Sequence, residues 1–294
     1  MKYGHFSSDG TEFIITRPDT PRPWINYLTN ERYCAITSQC AGGYSFHRDC
    51  RSGRVLRWAP ENWRFDRPGR YIYVRETKDQ RPKTKDRIWS LTYQPIRNRP
   101  EFFRARHGLG YTVIETKYCG ISSEVTYFVP GEDECELWLV KITNTTPAPR
   151  ILEIYPYAEW LLGDYHEELR YRNIMNLYNR VWYDEAAEAI FARKTAFWQN
   201  MNIRPFQYLA FCACSLPVKE AWARKDEFLG RYNTEERPQV LFSNLRTPNS
   251  KLRTCSGEDG IACFKHAVNL APGQSQEFVV VLGQAAPARA RRLA

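Results

Sequence analysis

Short stretches in which side chains alternate between two faces recur along this chain, and they constrain its fold more than any other feature. Residues 123–129 alternate in this way and end at Pro130 and Gly131. Residues 136–143 follow with the same period, and a polar turn at 144–149 separates them from residues 150–157. A period of two with turn residues between the segments is typical of antiparallel strands. Further strand candidates are residues 13–16, 71–75, 111–118, 179–183, 189–193, 208–215, 261–270 and 277–282. The pattern predicts an all-β protein, a large antiparallel sandwich.

Helical patterns are scarce, and the clearest candidate is the stretch 218–232. Pro217 can precede a helix and Gly230 can end one. We therefore expect one or two short helices. So few helices in 294 residues argue against a two-domain α/β protein. Residues 285–294 consist almost entirely of Ala, Arg and Pro. We expect a single β-sandwich domain over residues 1–284 and the start of a linker or tail at 285–294, so that the chain is a sandwich cut off at its boundary.

Cysteine usage and hydropathy indicate a cytoplasmic protein. The nine cysteines are odd in number and spread along the chain, and most of them lie beside apolar residues, as in the core of a protein from a reducing compartment. No apolar run approaches the roughly 18 residues that a membrane-spanning helix needs. Residues 1–13 lack the apolar centre of a signal peptide. We expect neither a membrane partner nor a disulfide framework.

A basic stretch accounts for much of the net charge of +9. Residues 75–106 contain ten Lys or Arg and four acidic residues, which could form a surface for nucleic acid or simply a solvated loop. Pro82, Pro95 and Pro100 interrupt the stretch, and no nucleic-acid module signature accompanies it. The solvated loop is the favoured interpretation, and we expect no nucleic-acid partner.

The usual motifs of nucleotide, metal and acid–base chemistry are incomplete. Gly108 and Gly110 begin a G-x-G sequence, but Val113 stands where the third glycine would be. Cys255, Cys263 and His266 lack a paired C-x-x-C spacing, so no metal site is expected. Residues 163–168 carry three carboxylates and a histidine, and 226–227 carry another acidic pair. Carboxylates that cleave glycosides must flank a sugar about 5 to 10 Å apart, so such neighbours in sequence more often mark a solvated loop or a helix face.

Two segments are unlike ordinary sandwich sequence. Residues 16–27 combine three prolines, two arginines and Trp24, and residues 39–46 place a Gly-Gly turn before two aromatic residues. Either segment could contact a ligand, or form an arm that packs across a neighbouring domain. The two interpretations remain open at this point.

A series of motifs carries a family resemblance. It comprises residues 1–6, 15–27 (Ile-Thr-Arg-Pro-Asp-Thr-Pro-Arg-Pro-Trp-Ile-Asn-Tyr), 41–46 (Ala-Gly-Gly-Tyr-Ser-Phe), 67–73, 106–112, 124–130, 228–232 (Phe-Leu-Gly-Arg-Tyr) and 256–260 (Ser-Gly-Glu-Asp-Gly). In this order they resemble the N-terminal region of the family 94 glycoside phosphorylases, which include cellobiose, laminaribiose, cellodextrin and chitobiose phosphorylases. The resemblance covers essentially the whole chain.

The resemblance implies a super-β-sandwich of the galactose mutarotase-like kind, followed in such enzymes by a helical linker, an (α/α)6 barrel and a small sheet domain. These enzymes cleave a β-glucosidic bond with inorganic phosphate and invert the anomeric centre to give α-glucose 1-phosphate. Their general acid is an aspartate of the barrel, so the resemblance places no catalytic residue in this chain. It implies no cofactor beyond phosphate as co-substrate, and we expect the chain alone to be inactive.

The resemblance also implies a sugar contact. In such enzymes a homodimer brings loops of the sandwich over the neighbouring barrel, where a Gln-Arg-Asn segment reaches the acceptor sugar. Here that segment corresponds to Tyr171, Arg172 and Asn173. Arg172 suits the role because a guanidinium offers several N–H donors to sugar hydroxyls. Tyr171 replaces the glutamine and leaves the acceptor open. The expected partners are a β-linked gluco-oligosaccharide, the absent barrel and a second copy of the chain.

A free-standing carbohydrate-binding sandwich is the alternative function. It would use exposed indole rings to stack sugars, and the candidates are Trp24, Trp58, Trp63, Trp89 and Trp160. Tryptophans in a large sandwich are more often core or interface residues, which counts against this alternative.

Overall fold

The alternating segments form the strands of two large antiparallel sheets. In the computed structural model, residues 3–58, 66–77, 87–195, 197–199, 202–204, 207–242 and 253–294 are described. The larger sheet has eleven strands. Their spatial order is β1 (Gly4–Phe6), β2 (Glu12–Ile15), β9 (Phe102–Gly108), β10 (Tyr111–Tyr118), β11 (Ile121–Phe128), β12 (Cys135–Asn144), β22 (Ser275–Ala285), β18 (Leu209–Cys214), β15 (Ala189–Lys194), β14 (Asn179–Asp184) and β20 (Thr254–Ser256).

The second sheet has nine strands and is built around β13. Its path runs β19 (Glu220–Arg224), β21 (Gly260–Leu270), β13 (Arg150–Gly163), β6 (Arg54–Leu56), β5 (Ser45–His47), β4 (Tyr33–Ser38) and β3 (Ile25–Thr29). Beside it, β7 (Tyr71–Glu76) pairs with β13 and β8 (Arg87–Ser90) pairs with β7, while β16 (Phe197–Gln199) and β17 (Asn202–Arg204) form a separate hairpin. All pairings among the described strands are antiparallel, so the predicted fold class is confirmed.

Four helices occur in the described residues, more than the sequence led us to expect. They are α1 (Tyr165–Asn176), α2 (Lys225–Leu229), α3 (Gln239–Phe242) and α4 (Pro287–Leu293). The predicted helix over 218–232 is wrong for its first part, because Glu220–Arg224 form β19 and pair with β21. Pairing with a long neighbouring strand outweighs the weak local helix preference of that stretch. Only Lys225–Leu229 are helical.

Hydrophobic side chains fill three regions. The largest core lies between the sheets and includes Trp89, Trp138 and Trp160. A second cluster, with Tyr73 and Phe228, covers the other face of the nine-stranded sheet. The third packs α4 against β15, β18 and β22. The segment predicted to begin a linker at residue 285 therefore includes a helix that contributes Ala290, fully buried, to this third cluster.

The proline-rich segment 16–27 packs against its own domain. Gln39 accepts a hydrogen bond from the Trp24 backbone N–H at 2.9 Å and donates to the Pro18 carbonyl at 3.0 Å. His107 Nε2 lies 2.9 Å from the Trp24 carbonyl. The Gly-Gly turn beside Gln39 needs glycine, since Gly43 has φ +114° and an added Cβ would lie 2.0 Å from the Ile36 carbonyl oxygen. Both segments therefore contact their own sandwich, whereas the packing interpretation expected an arm across a neighbouring domain.

Candidate functional site

Helix α1 carries all three predicted sugar-contacting residues, and its start is set by local sequence. Gly163 adopts φ +124°, which turns the chain out of β13. Asp164 then caps the helix, because its Oδ1 accepts the backbone N–H groups of His166 at 2.7 Å and Glu167 at 3.1 Å. Acidic residues in the first turn, including Glu168, suit the positive end of the helix dipole. The stretch left open as loop or helix face is thus a capped helix.

Replacing Asp164 by Ala is expected to destabilise the protein by about 1 kcal/mol, because two backbone donors lose their partner. Urea unfolding at neutral pH measures this loss. Asp164→Asn is the matched control and should lose much less, since asparagine also caps helices. Equal losses for the two variants would contradict the capping role.

The middle of α1 presents the predicted residues to solvent. Tyr171 departs from helical geometry, with φ −135° and ψ 30°, and kinks the helix at that point. Tyr171, Arg172 and Asn173 are all exposed, Arg172 with 43% of its side chain accessible. The structure therefore groups the three residues on one accessible stretch of backbone, although on a helix instead of a loop.

An ion-pair network beneath α1 holds Arg172. Its Nη2 donates to Asp259 Oδ2 at 2.7 Å, and its Nε lies 3.5 Å from Glu168 Oε1. The other oxygen of Asp259 accepts from Asn176 Nδ2 at 2.7 Å and from Arg57 Nη2 at 3.1 Å. Arg57 is the centre of the network. It also lies 2.7 Å from Glu168 and 3.3 Å from Glu159.

Electrostatics keep this network charged. Burial acts to raise the pKa of Asp259, but the charges of Arg57 and Arg172 outweigh it and hold that pKa below its usual value. The pKa of Glu159 is lowered in the same way, where Lys225 and Arg57 outweigh burial. Lys194 behaves differently. Burial lowers the pKa of this lysine to about 8, against the opposing attraction of Glu168. Lys194 is 2% exposed, and the charges of this network act on it.

Several charged residues around Arg172 carried no signal in the sequence. Asp259 lies within a motif of the family resemblance, residues 256–260, but nothing there assigned it a role. Arg57 and Lys194 stand in otherwise ordinary strand sequence, and 202 positions separate Arg57 from Asp259. Only the fold shows that they form one network.

The carboxylates considered for acid–base chemistry have structural contacts. Asp164 caps α1, and Glu168 is buried against Arg57. In the second acidic pair, Glu227 lies 3.5 Å from Arg224, and Asp226 is in the first turn of α2. These contacts favour structural roles for both groups.

Of the four proposed stacking platforms that the structure describes, two are buried and two are half-buried. Trp89 and Trp160 are each 1% exposed. Trp24 packs edge-on against Phe13, and Trp58 packs against Tyr44 with ring centroids 5.9 Å apart. Trp63 lies outside the described residues. Buried or packed rings do not favour the free-standing carbohydrate-binding sandwich.

Acidic neighbours compensate five of the six basic residues of this stretch that the structure describes, Arg99 being the exception. Glu115 binds Arg104 at 2.7 Å and Arg106 at 3.2 Å, and Arg106 also binds Glu12. Ion pairs within 4.0 Å are likewise made by Arg75, Arg87 and Arg97. Residues 78, 81, 83 and 85 lie outside the described part. The compensated charges do not favour a surface for nucleic acid.

Thiols and other possible metal ligands are dispersed. Seven of the nine cysteines are buried, all nine are free, and Cys50 and Cys119 are the ones not buried. In the described ranges no three His, Cys, Asp or Glu side chains are grouped closely enough to hold a metal ion. No helix in that part of the chain has the length and apolar character needed to span a bilayer.

Comparisons with known proteins point to one family. The family model "Glycosyl hydrolase 94, supersandwich domain" matches residues 11–294. The N,N'-diacetylchitobiose phosphorylase of Vibrio furnissii is 34% identical over 286 residues, which cover 96% of this chain and 33% of that protein. The solabiose phosphorylase of Paenibacillus borealis is 28% identical over 290 residues, covering 96% of this chain and 35% of that protein. The chain thus spans about a third of the length of these relatives.

A solved structure has a similar fold. The GalM/aldose epimerase homologue from C. elegans superposes with a TM-score of 0.53 at 11% identity, covering 90% of this chain and 99% of that one. At this identity the likeness concerns the fold alone, and it agrees with the mutarotase-like sandwich that the resemblance implied.

Proposed function

Because this chain belongs to the glycosyl hydrolase 94 family and matches its supersandwich domain, we propose that it forms one rim of the sugar-binding site of a glycoside phosphorylase. The observation that carries the proposal is the placement of Arg172. This residue lies on the capped helix α1, its guanidinium is accessible to solvent, and Asp259 holds it. A side chain whose N–H donors are already fixed binds sugar hydroxyls better than a mobile side chain does, because it loses less conformational entropy on binding.

The proposed parent reaction is the inverting phosphorolysis of a β-linked gluco-oligosaccharide to α-glucose 1-phosphate. It needs a proton donor to the leaving oxygen and a phosphate on the opposite face of the sugar, and both must sit in one cleft. In the proposal a barrel domain supplies that cleft, the general acid and the cations that hold inorganic phosphate. Helix α1 contributes acceptor-site contacts through Tyr171, Arg172 and Asn173.

The proposal includes assembly and location. We place the rim of one subunit over the barrel of a second copy, in a homodimer, because α1 exposes Leu169 and Ile174 beside Arg172, and Leu177, which caps the helix, is exposed as well. Exposed apolar side chains on one helix suit burial at such an interface. We propose a cytoplasmic location, where the buried free thiols of this domain stay reduced.

Replacing Arg172 by Ala is expected to lower the affinity for a neutral disaccharide by about tenfold or more, corresponding to loss of one or two charge-assisted hydrogen bonds. Titrations of the chain with cellobiose, laminaribiose and N,N'-diacetylchitobiose, followed by NMR, measure the affinity. Arg170→Ala, an exposed arginine of the same helix, is the control and should bind as the unaltered chain does. An Arg172→Ala variant with unaltered affinity would reject the rim assignment.

We expect no turnover from the purified chain alone. Phosphate release from α-glucose 1-phosphate with glucose or cellobiose as acceptor is the assay. Reproducible turnover that follows the folded protein would contradict the division between rim and catalytic cleft.

A further inference from the structure

The guanidinium of Arg172 is only partly used by the protein. Nη2 binds Asp259 at 2.7 Å and Nε approaches Glu168 at 3.5 Å. Among the described residues, Nη1 makes no hydrogen bond. Because the guanidinium is planar and rigid, fixing one edge also fixes where the remaining N–H groups point. The free donors of Arg172 therefore have a direction that the network sets.

Asp259 is itself held from two sides. Asn176, on the last turn of α1, donates to Oδ1 at 2.7 Å, and Arg57, just after β6, donates to the same oxygen at 3.1 Å. The carboxylate thus links helix α1 to the nine-stranded sheet. Arg172 pairs with the remaining oxygen, Oδ2. A carboxylate anchored in this way can position a guanidinium more tightly than an exposed carboxylate could.

The charges around Arg172 leave no excess of cations. The cations are Arg57, Arg172 and Lys194, and the carboxylates are Glu159, Glu168 and Asp259, with Glu167 as a further carboxylate that acts on Lys194. Lys225 and Glu235, which pair at 3.0 Å, add one charge of each sign. A ligand carboxylate would enter as an extra anion beside a cation that two carboxylates already neutralise. The free energy of desolvating such an anion exceeds its attraction to a cation that is already compensated. Binding uncharged hydroxyl groups does not require desolvation of a charge.

We infer that Asp259 is a positioning residue that fixes Arg172, and that the rim formed by this pair takes a neutral sugar through its hydroxyls in preference to a sugar that bears a carboxylate. The inference rests on the proposed function and adds to it the class of sugar. Its basis is the pairing of Arg172 with Asp259 and the charge balance around them.

A double-mutant cycle tests the positioning step. The variants are Arg172→Ala, Asp259→Asn and the two combined, and the probe is cellobiose titrated into the chain by NMR. Asp259→Asn is expected to lower the affinity about tenfold when Arg172 is present and to have no effect when Arg172 is absent. Asp226→Asn, an exposed aspartate on α2, is the matched control and should leave the affinity unchanged. An equal loss with and without Arg172 would show that Asp259 acts through the fold only, which overturns the inference.

A second titration tests the class of sugar, with cellobionate as the carboxylate-bearing counterpart of cellobiose. The unaltered chain should prefer cellobiose, and Asp259→Asn, which removes one negative charge, should shift the preference toward cellobionate. A chain that prefers cellobionate would overturn the inference while leaving the proposed rim in place.

The side-chain NMR signal of Arg172 separates failure of the inference from failure of the proposed function. We expect the guanidinium of Arg172 to rotate slowly in the unaltered chain and freely in Asp259→Asn. Both results should hold with and without sugar. Free rotation in both proteins would overturn the positioning role. If no sugar binds while Arg172 is held, the proposed function fails and the assignment of a sugar class fails with it.

Discussion

Replacing Glu136 by Gln should lower the free energy of unfolding by about 3 to 5 kcal/mol, because it breaks a buried ion pair from one side. Arg70 and Glu136 lie between the sheets, 0% and 1% exposed, and their second contact joins Nη2 to Oε2 at 2.9 Å. Trp138 Nε1 also donates to Glu136 at 2.9 Å, and Arg70 Nη1 donates to the Ile36 carbonyl at 3.0 Å. Glutamine keeps the shape but leaves the guanidinium as an uncompensated buried charge.

Urea unfolding followed by tryptophan fluorescence measures this effect, and Glu277→Gln provides the control. Glu277 pairs with Lys141 at 2.9 Å on the outer surface, where the two side chains are largely exposed. Removing such a pair costs less than about 1 kcal/mol. If the two variants lose similar free energies of unfolding, the buried pair contributes no more to stability than the exposed pair does.

Replacing Lys194 by Met should stabilise the protein at neutral pH, with an upper bound of about 3 kcal/mol. The pKa of Lys194 falls from 10.5 to about 8 on folding, chiefly because burial disfavours the charged form. Between pH 8 and pH 10.5 the unfolded chain therefore keeps this proton to a greater extent than the folded protein does. The ammonium therefore costs stability below pH 8, and the cost diminishes as the pH rises toward 10.5. Arg57, Glu167, Glu168 and Asp259 are the charged groups that face it.

The measurement is the free energy of unfolding of both proteins from pH 7 to 10.5. The difference between them should be largest at pH 7 and should shrink as the pH rises through 8. Lys117→Met, at a half-exposed lysine near Glu101, should show no such change. A constant difference across this range would mean that Lys194 titrates normally and that burial does not control it.

The sequence predicted strand positions well where the alternation of side chains was regular, but it did not predict the helix positions. Residues 111–118 form β10 with the predicted bounds. Strand β19 was mistaken for a helix because Pro217 and Gly230 are local signals, whereas pairing with β21 is not. Helix α1 lacks a continuous apolar face, since its buried residues include Glu168 and Asn176, whose partners lie far away in the chain.

The candidate site shows the same division. Arg172 could be singled out from a motif, since a resemblance in sequence carries the residue with it. The network that holds it could not, because Arg57 and Asp259 meet only after β6 and β21 have both paired with β13. Charge compensation depends on three-dimensional neighbours, so the class of sugar that we infer for the rim could not be derived from the sequence.

The position of β22 has a consequence for how the protein is made. This strand, near the end of the chain, lies in the middle of the eleven-stranded sheet and pairs with β12 on one side and β18 on the other. While a ribosome is still synthesising residues 275–285, the strands on either side of that position cannot be joined, and each half exposes an open edge. The two halves of this sheet can therefore join only after β22 has been made, which favours slow, late folding of the sheet.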